Sequence, residues 1–166
     1  MTTKAEFAPE EWTVLVQAPL NVALLITAAS PSLFGGIKEM YAAAQSLTAA
    51  GQLATPPNEF MGAIFAEYRD KEAIKASQPK YETKDPHALR QAILESIAAA
   101  VAAAAKATPE ESTTYREWLY QVGVRQANAS KEGGFLGIGA VRVSEAEQNA
   151  LAELAHTLGV EQPGAD

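Results

Sequence analysis

The chain contains no cysteine. That excludes a disulfide framework, a thiol nucleophile and a thiolate metal cluster, and it suits a reducing cytoplasm. Aspartate is nearly missing: Asp70, Asp85 and Asp166 are the whole supply in 166 residues, and a calcium loop needs Asp or Asn at its first positions. Positive charge is scarce too. Thirteen Lys and Arg stand against twenty Asp and Glu, a formal charge of -7, and the cations are scattered singly. Such a surface repels a phosphate backbone, so nucleic acid is excluded as a partner. Histidine occurs only as His87 and His156, and no serine lies in Gly-x-Ser-x-Gly, so the residues of a hydrolytic triad are not assembled in the sequence. Glu6, Glu10 and Glu11 occupy the stretch where a secretory signal is basic and then apolar, which again reads as a cytoplasmic protein.

What is present is apolar and helical. Hydrophobic residues make up 48% of the chain, enough to bury the core of a single domain over residues 1–166. The one long uncharged run, residues 13–37, is broken by Gln17, Pro19, Asn21 and Ser30-Pro31, so a buried helix is expected rather than a membrane span. Prolines stand at expected helix starts: Pro9, Pro57, Pro86 and Pro109. Thr108 with Glu111 and Ser144 with Glu147 have capping-box spacing, and Gly51 and Gly159 mark helix ends.

The helical period then defines four core stripes. They are Phe60, Met61, Ile64, Phe65 and Tyr68; Leu89, Ile93, Ile97 and Val101; Tyr115, Trp118, Leu119 and Val122; and Ala150, Leu151, Leu154 and Leu158. Residues 98–105, nearly all alanine, favour helix and allow a neighbouring helix to approach closely. Residues 78–85, "QPKYETKD", read as a linker between an N-terminal half of about 1–77 and a C-terminal half of 86–166. The only strand candidate is Val141-Arg142-Val143.

Shifting the chain against itself by one hundred residues aligns 9–30 with 109–130 without a gap. Pro9/Pro109, Glu10/Glu110, Glu11/Glu111, Thr13/Thr113, Val22/Val122, Ala29/Ala129 and Ser30/Ser130 are identical. Each copy leads into a glycine-bearing apolar loop, "PSLFGGIKE" and then "KEGGFLGIGAVRVSE", followed by a further helical pattern. Pro19 faces Leu119 in this register, which predicts a kink or a split in the first copy alone. The expected architecture is therefore all-α, with six to seven helices in two helix-loop-helix units related by a pseudo-twofold, an internal duplication.

These paired units, with "AAS" or "NAS" entering a glycine-rich loop before "VSEAEQNALAEL", resemble the tellurite-resistance TerB-type family. The resemblance implies a bacterial stress-response role, with metal ions and the inner membrane face as partners. The family's acidic loop start is replaced here by Ala29-Ser30-Pro31 and Ala129-Ser130-Lys131, which counts against metal in the loops.

Individual chemistries can be weighed from spacing. Gly137 and Gly139 begin a dinucleotide-type turn, but Arg142 occupies the third glycine position and no Walker lysine follows. Glu153 and His156 have Glu-x-x-His spacing, yet Leu151, Leu154 and Leu158 claim the inward face, which turns that pair toward solvent. Glu10, Glu11, Glu110 and Glu111 suit the positive ends of helix dipoles; a metal-dependent sensor or enzyme is the alternative in which all four converge. Trp12 and Trp118 read as core anchors. The leading expectation is a non-enzymatic binding or scaffolding protein that needs no cofactor and engages a protein partner or a second copy of itself. Its binding residues are Phe34, Gly35 and Gly36 in the first loop and Phe135, Leu136 and Ile138 in the second. A peripheral membrane-surface role for the same loops is the second alternative.

Overall fold

The computed structural model describes residues 1–29, 55–132 and 143–162. Six α-helices stand among them: α1 (Pro9–Ala29), α2 (Glu59–Arg69), α3 (Lys71–Ala76), α4 (Pro86–Ala104), α5 (Pro109–Glu132) and α6 (Glu145–Leu158). A single 3-10 turn, Lys4–Glu6, precedes them, and the described residues contain no strand. Val143 belongs to no element, and Val141, Arg142 and Gly51 lie outside the described residues.

Local chemistry sets these bounds. Pro9, Pro86 and Pro109 are each the first residue of a helix, where the missing N–H costs nothing. Pro57 instead sits just ahead of the cap of α2, where the Asn58 side chain accepts from the Met61 amide at 2.8 Å. Asp70 ends α2 and caps α3 by accepting from the Glu72 and Ala73 amides. Ser144 and Glu147 form the expected reciprocal box at the start of α6. That helix ends at Gly159, whose φ of 64° is open to glycine without strain, with the Val160 amide returning to the Ala155 carbonyl.

The four predicted stripes supply the core. Phe60, Met61, Ile64 and Phe65 from α2, Ile93 and Ile97 from α4, Tyr115, Leu119 and Val122 from α5, and Leu151, Leu154 and Leu158 from α6 share one buried cluster. Phe7, Trp12, Phe60 and Tyr115 form a chain of ring contacts through it, and Trp118 joins from a half-buried position. The axis of the assembly is α1. Every residue from Ala18 to Thr27 is buried, and the helix packs chiefly against α4 and α5. It is also the one described helix long and apolar enough to cross a membrane, and 72% of that stretch is buried against the protein itself.

Residues 78–85 contain no helix and connect the helices on either side, and they are tied down against the core: Pro79 is buried, and the Tyr81 hydroxyl donates to Asn21 Oδ1 at 2.8 Å while Asn21 Nδ2 donates to Ser96 Oγ at 2.9 Å. One aromatic residue in a polar stretch, meeting a fully buried asparagine, ties the connection to both α1 and α4. Of the kink or split expected at Pro19, the split does not occur, since α1 runs unbroken through it. In a helix the residue-19 amide would serve the Leu15 carbonyl, and proline has none. The Tyr115 hydroxyl donates to that carbonyl instead, at 2.8 Å, and the Tyr68 hydroxyl donates to the next one, at Val16.

Candidate functional site

The two helices whose sequences align at the hundred-residue offset lie side by side. Leu15 meets Tyr115, and Thr27 meets Gln126. Between them, a methyl placed on Gly123 would stand 3.3 Å from Val22 Cγ1. The contact partners rise together along both helices, so α1 and α5 run parallel and nearly in register at the hundred-residue offset.

Their N-terminal ends interlock through the repeated glutamates. Glu11 reaches back to the Ala8 amide at 2.8 Å and takes the Lys106 ammonium at 2.6 Å. Glu111 reaches back to the Thr108 amide at 3.1 Å, and it also accepts from the Thr2 amide at 3.2 Å and the Thr2 hydroxyl at 2.6 Å. The segment leading into each helix thus holds the glutamate of the other. Burial pushes the Glu111 carboxyl up, but donation from Thr2 and Thr108 outweighs it and holds the group at about 2. The Lys106 hydrogen bond lowers Glu11, helped by the Ala8 amide.

Glu10 and Glu110 are exposed, Glu11 and Glu111 are committed to different donors, and no three acidic or histidine side chains among the described residues are grouped to hold a metal. Helix-start electrostatics explained Glu111 only in part, because its carboxylate is buried and clamps residue 2. His156 is exposed as expected, whereas Glu153 is half-buried and pairs with Arg90 of α4.

At the opposite end, both helices lead toward the glycine-bearing stretches. Phe34, Gly35, Gly36, Phe135, Leu136 and Ile138 lie outside the described residues. Just inside them is a buried polar pair: the Gln126 amide donates to Thr27 Oγ1 at 2.8 Å, and the Thr27 hydroxyl donates to the Ala23 carbonyl at 2.8 Å. Gln126 Oε1 is buried with no partner, the one such acceptor among the described residues. The amide is not reversible, since Thr27 commits its proton to Ala23 and needs a donor from Gln126. Gln126 and Thr27 escaped the sequence reading because their neighbours follow the ordinary helical period. A glutamine on the inward side of α5, aligned near Thr27 in the hundred-residue register, was the available signal. Comparison with protein-family models, with curated proteins and with solved structures finds no match.

Proposed function

We propose that the chain is a non-enzymatic binding or scaffolding protein that presents two glycine-rich apolar loops, residues 33–37 and 134–139, from one end of a helical bundle. The partner is another protein or a second copy of the chain, in a cytoplasmic stress response of the TerB type. The observation that carries the reading is the parallel register of α1 and α5, which brings Ala29 and Glu132, the last helical residues before the two loops, to the same end. Two stretches of similar composition that follow helices ending together would offer a bivalent surface, and a second contact of that kind multiplies affinity. A further support is the rest of the surface. Met1 is the one large hydrophobic side chain exposed among the described residues, so the described helix faces offer no apolar patch for docking.

The test pairs Phe34→Asp with Phe135→Asp in the full chain. Sedimentation velocity should show self-association, or capture of a partner, lost in both variants, while the melting temperature stays within a degree or two of the parent. A large fall in melting temperature with association intact would mean that the phenylalanines plug the core, and would overturn the reading. Loss of vesicle flotation in the variants, with no change in protein association, would transfer the loops to a membrane surface.

A further inference from the structure

A second site lies away from the loop end. Thr113, Arg116, Glu117, Tyr120 and Gln121 follow one another along one face of α5, and the chain leaving α6 at Gly159, Val160 and Glu161 closes a groove over them of about 470 Å³. That volume falls in the range of small-molecule sites.

Three features of its lining are unused. The Tyr120 ring is buried while its hydroxyl, which makes no hydrogen bond among the described residues and is not one of their buried unpartnered atoms, is left open at the groove. The Arg116 guanidinium uses three of its N–H groups, Nε on the Ser112 carbonyl at 3.3 Å, Nη1 on the Leu158 carbonyl at 3.5 Å and Nη2 on Thr113 Oγ1 at 3.2 Å. A guanidinium has five, so two remain. The carboxylates of Glu117 and Glu161 stand at the exposed rim, beside the negative end of the α6 dipole.

We propose that this groove binds a small amino-carboxylate zwitterion, an α-amino acid or a molecule of that size and charge pattern. The carboxylate takes the two free N–H groups of Arg116 and the Tyr120 hydroxyl. The ammonium lies toward Glu117, Glu161 and the carbonyl end of α6. A simple anion would satisfy Arg116 but would be flanked by two like charges, and a simple cation would leave the guanidinium unpaired and repelling it. Only a ligand with both charges meets every group in the lining.

Isothermal titration calorimetry on the full chain tests this with glycine, L-glutamate and L-arginine, and with acetate and methylammonium as single-charge controls. The expected result is 1:1 binding of at least one amino acid, tenfold or more tighter than either control. Tyr120→Phe keeps the ring and removes one hydrogen bond, so affinity should fall roughly fivefold to tenfold with the melting temperature of the free protein unchanged. Glu117→Gln should weaken the amino acid and, by removing one like charge, leave acetate no weaker or slightly tighter. No heat from any amino acid at millimolar concentration overturns the proposal. So does binding that the controls match, or binding that both variants leave intact.

Discussion

Replacing Tyr115 by Phe removes one hydroxyl from a fully buried ring and leaves the Leu15 carbonyl without a donor. Elsewhere in a helix such a loss would be shared with the backbone amide four residues on, but residue 19 is proline. The cost is therefore that of an unsatisfied buried acceptor, about 1–3 kcal/mol. In a domain of this size that lowers the melting temperature by roughly 2–12 °C. Urea denaturation followed by far-UV circular dichroism measures it. Because the missing proline amide is what leaves Leu15 dependent on the phenol, Pro19→Ala should restore a donor and make Tyr115→Phe cheaper by about 1 kcal/mol in that background. Tyr68→Phe is the control. Its acceptor, the Val16 carbonyl, still faces the Leu20 amide, so its cost should be smaller and indifferent to residue 19. Burial raises both phenols well above their ordinary range, so these differences should not change between neutral and mildly alkaline pH. If Tyr115→Phe costs the same in the parent and in the Pro19→Ala background, to within about 0.5 kcal/mol, the tyrosine does not compensate for the proline.

Glu111 predicts an acid limb. Its folded pKa of about 2 lies below the ordinary 4.5, so its contribution is complete above pH 4.5 and is lost as pH falls toward 2. Glu111→Gln should cost about 1 kcal/mol at neutral pH after solvent screening, and should flatten the stability profile between those two pH values in acid titrations. The helical glycines should split in sign. Gly62→Ala, whose new methyl would find only Pro56 at 3.6 Å, should raise stability by about 1 kcal/mol. Gly123→Ala would drive a methyl to 2.6 Å from Leu154 Cδ2, and that overpacking outweighs the helix gain, for a net loss of about 1 kcal/mol by calorimetry.

Features written within a few residues of each other were legible: the boxes at Thr108 and Ser144, the prolines that open α1, α4 and α5, the left-handed cap at Gly159, and the core stripes. These depend on spacing alone. Pairings across the chain were not legible. Glu111 carried the signature of an exposed helix start because nothing near it names Thr2 as its partner. Tyr81 sat in a stretch whose composition is that of a linker, and only the buried Asn21 makes it a tether. Pro19 announced a disturbance in α1, but the tyrosine that offsets it comes from α5, almost one hundred residues further along the chain. At the candidate site, the loop residues drew attention by composition, while Gln126 matters through the bond its Oε1 lacks, which spacing does not reveal.

The parallel pairing of α1 with α5 also sets a timetable for synthesis. Parallel helices cannot be joined by a short turn, and here Pro109 follows Pro9 by one hundred residues. Translation at about 5–20 residues per second leaves α1 waiting roughly 5–20 s before the start of α5 exists. For most of that interval, until α4 at Pro86–Ala104 is made, an uncharged helical segment between Thr13 and Ala29, apolar enough to pass for a membrane span, lacks its chief packing partner, and the α5 surface follows only later. The nascent chain should therefore engage a holding chaperone, and a ribosome stalled between α1 and α5 would release the most aggregation-prone form of this protein.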